Sequence, residues 1–233
     1  NIKPEQIAGV IVESYQGGGP DFMPVKYARE LQKFCKQNDV VMIFDEMQSG
    51  FGRTGKWFAY EHYGVSPDLV TCGKGVSSSL PISVVIGRKD IMGLYGPGAT
   101  LSTHSGNPVC VAAALENIKI LKKENLTKRS KILGEILLRE LRRIKDKYPR
   151  VLGCVQGRGL VAGIQVVRPE TGEPAGELAL KINEACFRKG LLMFAPAGIA
   201  GECVKIAPPL VISEKALREG IRVLEEVCAE ILG

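Results

Sequence analysis

Three charged side chains stand where apolar runs of the sequence end. Glu13 closes a run over 7–13, Asp45 closes a second run over 40–45, and Lys74 follows a third run between two glycines. In open α/β sheets, ligands bind at the carboxyl ends of the strands. A lysine amine held among other charges can act as a nucleophile, with a carboxylate as its partner. From spacing alone, a structural ion pair with a helix cap explains these positions equally well.

The apolar runs predict the strands that position these side chains. They cover residues 7–13, 40–45, 69–72 and 82–86. Because they lack polar alternation, they are typical of strands buried on both faces of a parallel sheet. Between the first two runs, Pro24 and an apolar stripe predict a helix over 24–37. Strand, helix, strand indicates an α/β unit, whose parallel strands would bring Glu13, Asp45 and Lys74 to one edge of the sheet.

The second half of the chain has a different pattern. Residues 107–148 read as helical with a break near 124–125, and short strands with glycine-rich turns follow from about Val151. A helix is predicted near 176–189, and Ser213 is a good N-cap for a closing helix. This region predicts an α+β unit of roughly 80 residues, within the usual size of a domain.

Composition excludes several classes of protein. The 233 residues are 45% hydrophobic and 24% charged, enough to bury a sizeable core. The net charge is +6, and the basic residues are interleaved with acidic ones. This pattern favours solvated helix faces over a nucleic-acid groove. No apolar run reaches the roughly 18 residues of a membrane span. We therefore expect neither a nucleic acid nor a membrane as a partner.

The cysteines and histidines suggest a compartment and argue against a metal centre. Seven cysteines are scattered without any C-x-x-C pair, which favours free thiols in a reducing, cytoplasmic compartment. Only His62 and His104 are present, so no metal site is predicted. The chain opens at Asn1 without an initiator Met, and a strand pattern begins almost at once. This start suggests the C-terminal piece of a longer protein.

Two other motifs compete with the lysine for the chemistry. The acidic end of the 40–45 run resembles a nucleotide-hydrolase strand, yet no G-x-x-x-x-G-K-[ST] loop occurs in the sequence. The segment Gly50-Phe-Gly-Arg-Thr-Gly55 matches G-x-G-x-x-G, but Asp68 precedes the next apolar run where the dinucleotide fingerprint needs an acid closing it. A tight turn using glycine's positive φ explains this segment better. An exposed turn is likewise the commoner place for a lysine in G-K-G.

Taken together, the segments resemble the class III (ω-amino acid type) aminotransferases, which use pyridoxal phosphate on the fold-type-I scaffold. The matching stretches, in the family's order, are Glu13-Ser-Tyr-Gln-Gly-Gly-Gly, Phe44-Asp-Glu-Met-Gln-Ser-Gly-Phe-Gly-Arg-Thr-Gly, Pro67-Asp-Leu-Val-Thr-Cys-Gly-Lys-Gly, Thr103-His-Ser-Gly-Asn-Pro, Gly157-Arg-Gly-Leu and Ile206-Ala-Pro-Pro-Leu. They span essentially the whole chain, and the lysine lies 29 residues after the Asp of the second stretch.

The resemblance implies a role for each matching residue. Lys74 is similar to the lysine that bonds to the cofactor aldehyde, and Asp45 to the acid that keeps the pyridine nitrogen protonated. Gln48 is similar to the residue that binds the ring's phenolic oxygen. Thr103 resembles the threonine that reaches the cofactor phosphate of the neighbouring subunit. Glu13 resembles the glutamate that pairs with a substrate-binding arginine and screens it.

The chain departs from the family at several positions and in extent. Lys205 stands where many members have the arginine that clamps the substrate α-carboxylate, and Lys offers only a point charge there. We therefore expect a weaker or altered requirement for that carboxylate. Ser14 stands where Pro is usual. The family's N-terminal half, with the phosphate loop, the aromatic residue that stacks on the ring and much of the dimer surface, is absent, so we expect this piece to be inactive alone.

The resemblance also implies an architecture and an activity. We expect an α/β protein of fold type I: the C-terminal part of the large domain and its mainly parallel sheet over 1–122, a connecting helix over 123–150 and a small α+β domain over 151–233. The implied reaction is transamination between an α- or ω-amino acid and a 2-oxo acid by a homodimer or higher homo-oligomer. Alternatives are a racemase or decarboxylating transaminase on the same scaffold, or an inactive homologue that serves as a binding subunit.

Overall fold

The computed structural model describes residues 2–233 as an α/β protein. The strands are β1 (Gly9–Glu13), β2 (Tyr15–Gln16), β3 (Asp21–Phe22), β4 (Val41–Asp45), β5 (Leu69–Cys72), β6 (Val84–Gly87), β7 (Leu152–Gly157), β8 (Ala162–Val166) and β9 (Cys203–Ile206). The helices are α1 (Val25–Gln37), α2 (Lys89–Met92), α3 (Pro108–Lys123), α4 (Leu126–Lys147), α5 (Gly176–Arg188) and α6 (Glu214–Leu232). Single 3-10 turns cover Pro4–Gln6, Ala59–His62 and Lys74–Val76. No helix among residues 2–233 has the length and apolarity to cross a bilayer.

The chain divides into two compact units. Unit 1 comprises 1–15, 23–52 and 56–125, and unit 2 comprises 16–22, 53–55 and 126–233. The chain therefore leaves unit 1 twice, for two short segments, before it enters unit 2 for good. The predicted division at residues 122 and 150 stays a prediction about the domains of the whole protein.

Unit 1 contains a four-stranded sheet in the order β1-β4-β5-β6. β1 and β4 run parallel, as do β4 and β5, which confirms the α/β unit predicted from the first three apolar runs. The fourth run forms β6, which pairs antiparallel with β5 and corrects the expectation of a parallel strand there. A short connection lets the chain reverse between Cys72 and Val84, whereas a parallel pairing would need a longer crossover.

The prediction that these strands are buried on both faces is wrong for one face in the part of the chain that the structure describes. Burial alternates along β1, β4 and β5. Met42 and Phe44 are 1% and 0% exposed, but Ile11 and Val85, on the other face, are 59% and 49% exposed. Residues 2–233 supply too little cover for that second face, although it carries apolar side chains such as Ile11 and Val85.

Pro24 and Asn107 stand at the starts of the two longer helices of unit 1, α1 and α3. α1 follows Pro24 directly, and the Asn107 side chain caps α3 by accepting from the backbone amides of Val109 and Cys110. The predicted break near 124–125 is confirmed, because Asn125 has a φ of 51° between α3 and α4. Asn tolerates this left-handed conformation better than most residues, so it ends one helix without preventing the next.

Unit 2 is built on a three-stranded antiparallel sheet in the order β7-β8-β9. α4, α5 and α6 contribute to its core with Leu137, Ile182 and Leu224, each no more than 1% exposed. The Ser213 side chain accepts from the backbone amide of Ala216, which confirms the predicted cap of α6. The core thus joins the short strands and the closing helices that the sequence pattern predicted for this half.

One glycine of the Gly-Arg-Gly segment is required by a close approach within unit 2. Gly159 has a φ of 58°, and a Cβ there would lie 2.5 Å from the carbonyl carbon of Thr54. Nearby, a Cβ on Gly134 of α4 would lie 2.2 Å from the carbonyl oxygen of Gly159. These backbones pack without space for a side chain, so a substitution at either glycine must displace main chain.

Candidate active site

The carboxyl ends of three parallel strands form the candidate site in unit 1. Glu13 pairs in register with Asp45, and Asp45 pairs with Thr71 on β5. Lys74 follows Thr71 by three residues, a stretch of chain at most ~10 Å long. The strand pairing therefore brings Glu13, Asp45 and Lys74 to the same edge of the sheet, where ligands bind in open α/β folds.

Lys74 begins a 3-10 turn in an uncommon backbone conformation. Its φ is 40°, in the left-handed region, and its side chain is exposed. A Cβ on the preceding Gly73 would lie 2.6 Å from the sulfur of Met47, so a larger residue there would require the Met47 side chain to move. A lysine held at positive φ carries a conformational cost that the surrounding contacts must offset, and such strain clusters at functional sites.

A side chain from α3 fixes this turn. The Asn117 amide nitrogen donates to the carbonyl oxygens of Gly75 and Val76 at 2.8 and 2.9 Å. The Val76 amide in turn donates to the carbonyl of Gly73 at 3.0 Å. Asn117 therefore joins the backbone on the carboxyl side of Lys74 to a long helix. This role was not predictable from the sequence, because an Asn inside a helix pattern carries no signal of its distant partner.

Asp45 ends β4, and Gln48 lies in the turn that follows the strand. The Met47 backbone amide donates to Asp45 Oδ1 at 2.9 Å, which orients the carboxylate. Both Asp45 and Gln48 are half-buried. The Tyr15 hydroxyl donates to the Gln48 carbonyl at 3.4 Å, so the backbone of this turn is also joined to the segment after β1.

Glu46, next to Asp45, is a second residue that the sequence analysis missed. It is 0% exposed, and its two oxygens accept four hydrogen bonds. Together with burial, which is the larger effect, the charges of Glu46 and Asp45 raise the pKa of the Cys72 thiol to about 12. The buried thiol two residues before Lys74 is therefore not a competing nucleophile at neutral pH.

Two predicted site residues do not belong to these strand ends. Thr103 is exposed, in the turn before α3 and not at a strand end. Lys205 belongs to unit 2, on β9, where it is 7% exposed and its ammonium donates to the carbonyl of Gly17. The predicted roles of both residues, as of Glu13, Asp45, Gln48 and Lys74, stay predictions.

The G-x-G-x-x-G segment is a turn, as the sequence pattern favoured. Gly52 and Gly55 have φ values of 91° and 86°, and the segment lies in consecutive turns. Arg53 lies between them, and its guanidinium donates to the carbonyls of Leu160 and Pro208 at 2.9 and 2.6 Å within unit 2. The turn conformation therefore explains the glycines of this segment.

A mainly parallel sheet with an amine and a carboxylate at the carboxyl ends of its strands is typical of α/β proteins that bind a ligand there. Comparison with known proteins identifies the family. The family model "Aminotransferase class-III" matches residues 1–228. The chain belongs to the class III aminotransferase family, whose members use pyridoxal phosphate.

Individual relatives agree with this assignment. The chain is 36% identical over 232 residues to the alanine/serine racemase of Pyrococcus horikoshii, a match that covers 99% of this chain and 48% of the relative. It is 37% identical over 227 residues to a probable 4-aminobutyrate aminotransferase of Bacillus subtilis, covering 97% and 52%. A transaminase structure from the marine bacterium Virgibacillus superposes with a TM-score of 0.91 at 31% identity, covering 99% of this chain and 55% of that one. The fold is therefore fold type I, and the chain spans about half the length of the relatives it matches.

The residues at the sheet edge fit pyridoxal phosphate in their chemistry. Such a cofactor needs an amine for its aldehyde and an acid for its ring nitrogen. Lys74 presents an exposed amine and Asp45 a half-buried carboxylate at the ends of adjacent strands. Gln48, three residues after Asp45, adds a carboxamide for a ring oxygen.

Proposed function

We propose that this protein belongs to an enzyme that transfers an amino group from an α- or ω-amino acid to a 2-oxo acid with pyridoxal 5′-phosphate. The observation that carries the proposal is the placement of Lys74 and Asp45 at the carboxyl ends of neighbouring parallel strands in a class III aminotransferase chain. When bound, the cofactor supplies an electron sink for the substrate's reacting carbon.

In this proposal the chain's own residues hold the cofactor and move one proton. Lys74 would hold the cofactor through its aldehyde group, and its amine, when free, would move a proton at the substrate carbon. A positioned group of this kind contributes roughly 10²–10⁴-fold to the rate. Asp45 holds a proton on the ring nitrogen, and its hydrogen bond from the Met47 amide keeps the carboxylate oriented. Gln48 binds the phenolic oxygen.

The remaining site residues are proposed to bind substrate and the cofactor phosphate. Glu13, exposed beside Asp45 in the sheet register, screens a substrate-binding cation. Lys205 attracts the substrate carboxylate as a point charge, and Thr103 binds the phosphate of a neighbouring subunit. Because the last role needs a second copy, we propose a homodimer or higher homo-oligomer. The seven free thiols support a reducing, cytoplasmic compartment.

Chemical trapping tests the proposal. Purified protein is mixed with pyridoxal phosphate, reduced with borohydride, and mapped by intact and peptide mass spectrometry. One cofactor per chain on the peptide that contains Lys74 is the expected result. Lys74→Asn removes the amine while suiting the left-handed backbone, and Lys119→Ala, on an exposed face of α3, is the matched control. Labelling that is the same in Lys74→Asn as in Lys119→Ala would refute the proposal.

Asp45→Asn tests the acid separately. The amide oxygen can still accept from the Met47 backbone, so the turn is kept while the charge is removed. We expect trapping at Lys74 to persist and transamination to fall by roughly 10²–10⁴-fold. Unchanged turnover would remove Asp45 from the proposed mechanism.

Racemisation is the second candidate, because one of the similar relatives is an alanine/serine racemase. A single enantiomer of alanine, offered with a 2-oxo acid, separates the two reactions. Oxo-acid formation from alanine supports transamination, whereas the mirror-image amino acid without oxo acid supports racemisation. Carbon dioxide release would identify a decarboxylating transaminase. Absence of both trapping and turnover would favour a binding or assembly subunit, or a chain that is inactive without the rest of its length.

A further inference from the structure

The residues that directly follow three of the candidate site residues converge on one buried carboxylate. Ser14 follows Glu13, Glu46 follows Asp45, and Ser49 follows Gln48. The hydroxyl groups of Ser14 and Ser49 donate to the Glu46 carboxylate at 2.5 and 2.6 Å. These three residues are 0%, 0% and 2% exposed. We call Ser14, Glu46 and Ser49 the carboxylate clasp.

The backbone completes the set of donors around this carboxylate. Glu46 Oε1 accepts from Ser14 Oγ and from the amide of Tyr60 at 2.8 Å. Oε2 accepts from Ser49 Oγ and from the amide of Ala59 at 3.0 Å. An ionised carboxyl group has about four acceptor sites, so these four donors satisfy it. A buried carboxylate is tolerated only with such pairing, which makes every member of the set matter.

The clasp also connects segments that are distant in the sequence. It joins the end of β1, the turn after β4 and the 3-10 turn Ala59–His62. The Tyr63 hydroxyl donates to the Ser14 carbonyl, and the Ser14 amide donates to the Asp45 carbonyl at 3.4 Å. Each link attaches within one residue of a candidate site residue. The backbone next to Glu13, Asp45 and Gln48 is therefore held by hydrogen bonds that share one acceptor, the Glu46 carboxylate.

We propose that Ser14, Glu46 and Ser49 are positioning residues that hold Glu13, Asp45 and Gln48 in register for substrate and cofactor. The inference rests on the proposed function and adds a division of labour within the clasp. The Ser14 arm positions the residue proposed for substrate, and the Ser49 arm positions the residue proposed for the cofactor ring. A site must be held within about 0.5 Å of its productive geometry by such supporting contacts.

The test compares Ser14→Ala and Ser49→Ala with Ser130→Ala in the protein loaded with pyridoxal phosphate. Ser130 is the matched control, because it is 0% exposed and its hydroxyl is also hydrogen-bonded, to the Arg53 carbonyl and the Leu160 amide of unit 2. All three substitutions remove one buried hydroxyl. Any effect that depends only on losing such a group appears in all three variants.

The two arms predict different changes. In Ser14→Ala we expect KM for the amino acid to rise about tenfold, in the range seen when a supporting contact is lost, while the visible absorption band of the bound cofactor is unchanged. In Ser49→Ala we expect that band and its pH midpoint to shift, with a smaller change in KM. Ser130→Ala should do neither. A clasp that is merely structural predicts the same pattern in all three variants, and that result overturns the proposal.

A measurement without cofactor separates failure of the clasp from failure of the proposed function. The Met47 amide, which donates to Asp45 Oδ1, reports on the position of that carboxylate by hydrogen exchange. We expect its exchange to accelerate about tenfold in Ser49→Ala and Glu46→Gln, a change that corresponds to 1.4 kcal/mol, and to be unaffected in Ser130→Ala. Glu46→Gln leaves two donors without an acceptor, so the serine variant decides the matter if the glutamine variant fails to fold. Unchanged exchange in Ser49→Ala refutes the clasp whether or not Lys74 binds the cofactor.

Discussion

The contact between Asn117 and the Lys74 turn leads to a prediction with a calculable size. Asn117→Ala removes two hydrogen bonds, to the carbonyls of Gly75 and Val76. Each such bond contributes about 0.5–1.5 kcal/mol, so the pair contributes about 1–3 kcal/mol. Ala is the better helix former by up to about 0.7 kcal/mol, which offsets part of the loss. We therefore expect a net destabilisation of about 1–2 kcal/mol, concentrated at the turn.

Hydrogen exchange at the Val76 amide is the direct measurement. This amide donates to the Gly73 carbonyl and closes the turn that contains Lys74. A loss of one to two kcal/mol corresponds to about a 5- to 30-fold faster local opening. Asn117→Asp should have a larger effect, because its carboxylate faces the same two carbonyls with no donor between them. Urea denaturation gives the accompanying change in the free energy of unfolding.

A neighbouring residue of the same helix provides the control. Glu116 is exposed and pairs only with Lys119 in the described part of the chain, at 3.1 Å. Because exposed ion pairs contribute about 0–1 kcal/mol, Glu116→Ala should leave Val76 exchange unchanged. The reasoning is refuted if Asn117→Ala behaves like Glu116→Ala in both exchange and stability.

Two further predictions concern pH and thiol chemistry. Hydrogen bonds from Arg143 and Lys147 hold the pKa of Glu225 at about 2, below its ordinary value of 4.5, so their stabilisation is present above pH 4.5 and is lost as the pH falls toward 2. Between pH 7 and pH 3, the urea midpoint should therefore fall more for the unsubstituted protein than for Glu225→Gln. An equal fall in both proteins would contradict this prediction. Cys154 is half-buried whereas Cys72 is fully buried with a pKa of about 12. A thiol reagent at pH 8 should modify Cys154 much faster, and peptide mapping with equal rates would count against the described burial.

The elements were predictable from the sequence because their signals are local. The apolar runs and the helical spacing identified β1, β4, β5 and α1 to within two residues of their observed ends. The break at Asn125 followed from polar residues between two periodic segments. Such patterns record what each segment buries, and secondary structure in this chain follows that pattern closely.

The direction of β6 and the burial of the sheet were not predictable in the same way. The run over 82–86 reads as a buried strand in either direction, since direction depends on the connection and not on composition. The exposure of Ile11 and Val85 depends on what else covers the sheet. An apolar side chain indicates a position suited to burial, but a local pattern cannot say which segment would cover it.

The candidate site was predictable only in part, for a related reason. Parallel strands place Glu13 and Asp45 in register once their runs are recognised, because strand ends meet at one edge. Glu46 and Asn117 gave no signal, although each makes several hydrogen bonds near the site. Apart from Ser49, their partners lie 13 or more residues away along the chain, so the neighbouring sequence does not mark them as supporting residues.

The repeated exchange of segments between the two units has a consequence for how this chain can be divided. Unit 2 borrows 16–22 and 53–55 from the first half, and the second of these carries Arg53, which donates to Leu160 and Pro208. Cutting the polypeptide at residue 125 would strip the later half of that guanidinium and of its small β2-β3 companion strands. Residues 126–233 thus cannot be exchanged between homologues as a single block. Recombination would have to exchange three separate stretches together to keep unit 2 whole.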